Sequence, residues 1–197
     1  MWLVSLSVMA ICIFAEYYMW TVDYWYPDHL FGGRIGIEDF LISFTQGGIA
    51  AVIYEEVFRK RLYKRKGGQV HNFGLLFFIV LPIIVIAFLF YGLRMYSFDA
   101  WNLGMLFVVI ALVLVRKDLF KTCLFSGTTF LISLWPIYWI TSLVSPGWVE
   151  KFWFMSNLSG FSFIGIPIED HIFYFLVGAI LGPFYEYWQG GRLRRLS

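Results

Sequence analysis

Two acidic pairs, Glu38-Asp39 and Glu169-Asp170, carry the chemistry that this sequence offers. Each pair opens a long, otherwise apolar stretch, and the two stretches match without a gap. "RIGIEDFLISFTQGGIAAVIYEE" from Arg34 aligns with "GIPIEDHIFYFLVGAILGPFYEY" from Gly165. Glu38 falls on Glu169, Asp39 on Asp170, Phe44 on Phe175, Gly47 on Gly178, Tyr54 on Tyr185 and Glu55 on Glu186. Arg61 and Leu62 extend the match to Arg192 and Leu193, giving repeat copies of about 34–62 and 165–193. Paired carboxyls can divide the work of an acid and a base. They can also cap helix N-termini, where free N–H groups and the macrodipole favour negative charge. Glu16 falls at a similar depth, so five carboxyls from three helices are expected at one level, with His171 beside them.

The elements that hold these groups are membrane-spanning helices. Residues of the apolar class make up 60% of the 197 and charged residues 14%, and mean hydropathy is +0.72. A helix needs about 20 apolar residues to cross the hydrocarbon core. Six runs qualify: Trp2–Thr21, Ile37–Phe58, Phe73–Leu93, Trp101–Val115, Leu119–Val144 and Ile164–Trp188. The fourth is short, and the fifth contains Pro136, which membrane helices tolerate. The expected fold is therefore all-α: a polytopic bundle of about six transmembrane helices, a single transmembrane domain over 1–197, with helix 2 copied as helix 6. Repeats of this kind place a shared site at the interface between copies.

Charge sets the orientation. Six basic residues crowd 59–66 (Arg59, Lys60, Arg61, Lys64, Arg65, Lys66). Arg116, Lys117 and Lys121 form a second group, and Arg192, Arg194 and Arg195 a third. Together they hold twelve of the fifteen Lys and Arg residues, all on one side if six helices alternate. By the positive-inside rule that side is cytoplasmic, so both termini are inside a cell membrane. The net charge of +2 then reflects topology rather than nucleic-acid binding. Tyr24–Asp28 and Gly147–Phe154 read as interfacial aromatic belts. Glu55, Glu56 and Glu186 read as interfacial acids paired with Arg59, Arg192 or a lipid head group. Gly47, Gly48, Gly178 and Gly182 allow close helix packing. Cys12 and Cys123 show neither metal nor disulfide spacing. Asn157-Leu158-Ser159 fits the glycosylation pattern weakly, and no cleavage site follows the first run.

The second copy resembles the signature of the membrane-embedded lycopene cyclase domain family, the heterodimeric or fused carotenoid cyclases. That signature runs Pro-Leu-Glu-Glu, two residues, Phe-Phe, and Tyr-Glu at the far end of the helix. Here it reads Pro167-Ile168-Glu169-Asp170-His171-Ile172-Phe173-Tyr174, ending in Tyr185-Glu186. Pro136, Trp139, Pro146-Gly147-Trp148 and Gly160 also resemble the family's approach to this helix. The first copy, Gly36-Ile37-Glu38-Asp39, lacks the proline and has Ile42-Ser43 for the aromatic pair. Both second acids are Asp where the family usually has Glu, and the first half is one helix short of the expected seven.

The resemblance implies closure of the acyclic ends of lycopene, or a similar polyene, into β-ionone rings. A carboxylic acid protonates the terminal double bond, the neighbouring alkene attacks the cation, and a base removes a proton. Apolar surroundings favour the neutral, proton-bearing form of a carboxyl, which suits the donor. The implied catalytic residues are Glu169, Asp170, Glu38 and Asp39. Glu16, His171, Phe173, Tyr174, Phe175 and Phe44 would line the substrate, and aromatic faces hold a desolvated cation by ~2 kcal/mol or more. No redox change occurs, no G-x-G-x-x-G fingerprint is present, and neither cofactor nor metal is expected. The implied partners are an apolar carotenoid or isoprenoid substrate and membrane lipid, with a homo-oligomer or a second membrane subunit left open. The alternative from another class is a six-helix, small-molecule-binding subunit of a transporter. An opsin is disfavoured because no Lys lies within a span, and a prenyltransferase because no D-x-x-D or D-x-x-x-D occurs.

Overall fold

Apolar runs too long to leave their amides unpaired become helices, since a helix satisfies its backbone internally. The computed structural model describes residues 1–64 and 72–195, and it is mostly helical. α1 (Trp2–Ala15) passes through a π-helical turn (Glu16–Trp20) into α2 (Thr21–Asp23). α3 is Ile37–Val57, and α4 (Asn72–Ala87) continues into a second π-helical turn, Phe88–Gly92. α5 (Ser97–Val115) and α6 (Phe120–Val144) follow, then the short α7 (Trp148–Phe152), α8 (Ile168–Leu181) and α9 (Phe184–Trp188).

Four features depart from the expected pattern. Among the described residues four short strands are present: β1 (Lys60–Lys64) pairs with β4 (Gly191–Arg195), and β2 (Ser162–Phe163) with β3 (Ile166–Pro167). The expected run Ile164–Trp188 is not one helix, because Pro183 lacks the N–H that would continue it, and α8 ends at Leu181 before α9 begins. Six spans were expected, yet three helices among the described residues are long and apolar enough to cross a membrane: Trp2–Asp23, Ser97–Val115 and Lys117–Val144. α3 has the length but carries Glu38, Asp39, Glu55 and Glu56 at its ends. The expected short fourth run is a full 19-residue helix, because Ser97–Ala100 joins it.

Glycines set how closely the helices approach. A Cβ on Gly47 of α3 would lie 2.7 Å from Val8 Cβ of α1, and one on Gly48 2.7 Å from Ser5 Oγ. A Cβ on Gly178 of α8 would lie 2.8 Å from the Ser126 carbonyl oxygen and 3.0 Å from Gly127 Cα of α6. So α3 packs on α1, and α8 on α6, with backbones almost touching.

The contacts define two ends. At one end β1 and β4 run antiparallel with Leu62 opposite Leu193. Arg116 donates to Asp118 at 2.9 and 3.0 Å, and Arg192 reaches the same carboxylate at 3.1 Å. All three basic groups thereby meet, although Arg65 and Lys66 fall outside the described residues. At the other end Lys151 pairs with Asp28 at 2.8 Å, Tyr26 N–H donates to Phe152 O at 2.8 Å, and Asn157 Nδ2 donates to Asp23 O at 2.7 Å.

The expected pairing of Glu186 with Arg192 does not occur. Glu186 is buried, and its Oε1 accepts the Leu193 N–H at 2.6 Å, tying α9 to β4. Glu56 pairs instead with Arg61, at 3.6 Å and in the open.

Candidate active site

A two-residue hairpin delivers α8. Ile164 (φ 50°) and Gly165 (φ 73°) both take left-handed backbone between β2 and β3, as a type I′ turn requires. The Ile168 N–H then bonds Phe161 O at 3.0 Å. This places Glu169, Asp170 and His171 in the first turn of α8, all three buried.

These acids do not cap their own helix. Pro167 occupies the cap position with no side-chain cap bond. Asp170, 2% exposed, accepts hydrogen bonds from the Tyr24 hydroxyl and, at 3.1 Å, from the Tyr138 hydroxyl. Tyr24 in turn accepts from Trp153 Nε1 at 2.8 Å. Glu169 Oε1 accepts the Ser159 N–H at 2.6 Å, while Oε2 is buried with no partner. Asn102 Nδ2 donates to the Glu169 carbonyl at 3.2 Å, fixing that turn from α5.

Aromatic rings wall this pair. Tyr24 stacks on Phe98 with centroids 3.6 Å apart, and Phe98 lies 5.0 Å from Phe173. Phe173 meets Trp20 edge-on at 5.7 Å and Tyr174 at 5.3 Å. Tyr138 is 6.3 Å from Tyr174. The arrangement sets one carboxyl with a free oxygen beside another held by two hydroxyls. Through Tyr24 and Tyr138, Asp170 joins a cluster of rings whose π-faces are able to stabilise a cation.

The first pair behaves differently. Asp39 Oδ2 accepts the Gly36 N–H at 2.7 Å, a capping bond, and stands 2.7 Å from His29 Nε2. Glu38 Oε1 accepts the Leu30 N–H at 2.8 Å. Glu16, buried at the start of the π-helical turn, groups with His29 and Asp39. The five carboxyls expected at one level thus form two groups. Among the described residues no hydrogen bond or ion pair joins them. Each glutamate is held by a backbone N–H of its own incoming segment, Glu38 by Leu30 and Glu169 by Ser159. The aspartates differ, Asp39 bonding the Gly36 N–H before its helix and Asp170 the hydroxyls of Tyr24 and Tyr138.

Of the other expected residues, Phe173 and Tyr174 stand at the second pair. His171 Nδ1 lies 3.0 Å from the Pro167 carbonyl, and its ring faces Trp135 and Phe163. Phe175 packs on Gly127 of α6, and Phe44 on Trp2, each away from Asp170. The aromatic-belt reading of Tyr24 and Trp153 is corrected, since both are buried at 5% and 7% exposure. Tyr24, Tyr138, Trp153, Asn102 and Ser159 were not expected beside the acidic pair. A hydroxyl-bearing Tyr138 inside an apolar run, two residues after Pro136, was the available signal.

Residues 94–188 match the family model for lycopene cyclase. That segment, just under half of the chain, is similar to lycopene cyclase. No match was found among curated proteins or among solved structures. The matched segment holds Phe98, Asn102, Tyr138, Trp153, Ser159, Glu169 and Asp170, so nearly all of the second pair's surroundings fall inside it. Tyr24 and the whole of the first acidic pair lie outside it. Among the described residues, the ring contacts of Tyr24 and Tyr138, the partners of Asp170, tie the second pair to an aromatic cluster.

Proposed function

We propose that this chain closes the acyclic ends of a lycopene-type carotenoid into β-ionone rings, by acid and base chemistry without net redox change. The observation that carries the reading is the buried Glu169-Asp170 pair, walled by Tyr24, Phe98 and Phe173, within the segment that matches lycopene cyclase. Glu169, whose Oε2 has no partner, gives its proton to the terminal double bond. The neighbouring alkene attacks the resulting cation, forming the ring bond and passing the charge into the ring. Asp170, oriented by Tyr24 and Tyr138, accepts the proton that leaves to form the ring alkene. One proton enters and one departs, so no electron acceptor is needed. Phe98, Phe173 and Tyr174 offer π-faces to the travelling charge. Glu38 and Asp39 position the neighbouring loop and helix. Expressed in a lycopene-accumulating bacterium, the chain should convert lycopene to cyclic carotenoids with no added flavin or nicotinamide. An unchanged pigment profile, with folded protein in the membrane, would refute this. No observation favours the transporter-subunit alternative.

The same proposal includes a topology of six passes, with both termini cytoplasmic. It is supported by the meeting of all three basic groups at one end of the bundle and by the positive-inside rule. Reporter fusions after Lys66, Lys117 and Ser197 should read inside, and fusions near Tyr26, Tyr96 and Lys151 outside. Any basic group reading outside would overturn the helix count.

A further inference from the structure

We propose that Glu16, His29 and Asp39 form a binding site for a divalent first-row transition-metal ion. One ligand atom from each lies within 4.8 Å of the other two. The three come from different elements: the π-helical turn after α1, the loop before α3, and the first turn of α3.

The hydrogen bonding around the group leaves a place for a cation. Glu16 is 4% exposed, and its Oε1 has no partner. The His29 side chain is 1% exposed, and its Nδ1 lies 3.1 Å from the Gly33 carbonyl oxygen. A carbonyl only accepts, so Nδ1 carries a proton and Nε2 is left as the ring's ligand atom, the arrangement found behind metal-bound imidazoles. Nε2 is 2.7 Å from Asp39 Oδ2, an ion-pair contact that a bound ion would widen to roughly 3–3.5 Å, the separation of neighbouring ligands held about 2.0–2.2 Å from it.

The donor set is two buried carboxyls and one imidazole. Arg34, the basic residue of the same loop, is turned to the Thr21 hydroxyl and the face of Tyr17 instead. One imidazole among the donors favours a transition ion over Mg²⁺ or Ca²⁺. Such an ion would tie α1, the loop and α3 together at the end where the acidic pairs lie.

Metal binding can be read without any pigment assay, so it stands or falls separately from the cyclase proposal. The chain, purified in detergent without chelator, should carry about one first-row ion per chain by elemental analysis. After stripping, it should take up Co²⁺ with visible d–d absorption that Zn²⁺ displaces. Glu16→Gln, which keeps the shape, and His29→Ala should each weaken Co²⁺ binding by at least about tenfold. Glu150→Gln, on the exposed α7, should leave it unchanged. Gel filtration and helical circular dichroism report folding, and Glu16→Gln decides if His29→Ala does not fold. Folded, stripped protein that takes up no Co²⁺ would overturn the proposal. So would variants that bind as tightly as the unsubstituted chain.

Discussion

Glu169→Gln should leave lycopene uncyclised. The amide has the shape of the carboxyl and can still accept the Ser159 N–H, but it has no acidic proton to give. A positioned acid contributes about 10²- to 10⁴-fold to rate, so ring formation should fall by at least about 10²-fold while the protein accumulates normally. Asp170→Asn should fall comparably, through loss of the acceptor that Tyr24 and Tyr138 hold. Glu38→Gln should cost less, because Glu38 lies outside the segment that matches lycopene cyclase and, among the described residues, bonds neither Tyr24 nor Tyr138 nor Asp170. Pigment analysis of the three variants, normalised to membrane-inserted protein, ranks them directly. Glu169→Gln cyclising at the unsubstituted rate would place the donor elsewhere.

Gly178→Ala should be far more damaging than Gly48→Ala. Its Cβ would meet the Ser126 carbonyl and Gly127 Cα as well as Phe130 Cβ, all at 3.0 Å or less. Backbone cannot swing aside as a side-chain tip can, so α8 must move off α6, carrying Glu169 and Asp170 with it. Overpacking of this kind costs about 1–3 kcal/mol. Gly48→Ala meets the Ser5 hydroxyl, which can rotate away, and Met1 side-chain atoms at 3.6 Å or more. The expected order of melting temperature in detergent is therefore unsubstituted, then Gly48→Ala, then Gly178→Ala lowest. Gly178→Ala melting with the unsubstituted chain would show that the α6–α8 contact is looser than described.

What could be read from the sequence was whatever depends on composition and local pattern. The apolar runs located helices to within a few residues at Trp2, Ile37, Val115 and Val144, and the acid-aromatic signature located the first turn of α8. Three things were hidden because they arise from tertiary contact. Tyr24 and Trp153 looked like interface anchors, since a lone aromatic near a span end has the same local signature whether it faces lipid head groups or a buried Asp170. His29 lay in a loop of ordinary composition, and only folding brings it to Asp39. Glu186 looked like an interfacial acid beside Arg192, but the strand after α9 turns back and offers it the Leu193 amide instead. The split of the carboxyls into two groups was hidden for the same reason, since sequence spacing gives depth along a helix but not the direction from which the preceding loop arrives.

The β1–β4 ribbon has a consequence for how the chain is made. Leu193 is synthesised 131 residues after the Leu62 it faces, which at about 5–20 residues per second means a delay of roughly 7–26 s. Throughout that interval β1 has no partner, and an unpaired strand edge is a template for pairing with a neighbouring nascent chain. The edge that must wait reads Lys60-Arg61-Leu62-Tyr63-Lys64. Its charges repel another copy of itself during the delay. The last strand to be made, Gly-Arg-Leu-Arg-Arg, is equally basic, so the ribbon closes only once helix packing has brought the two ends together and Asp118 is there to hold Arg192.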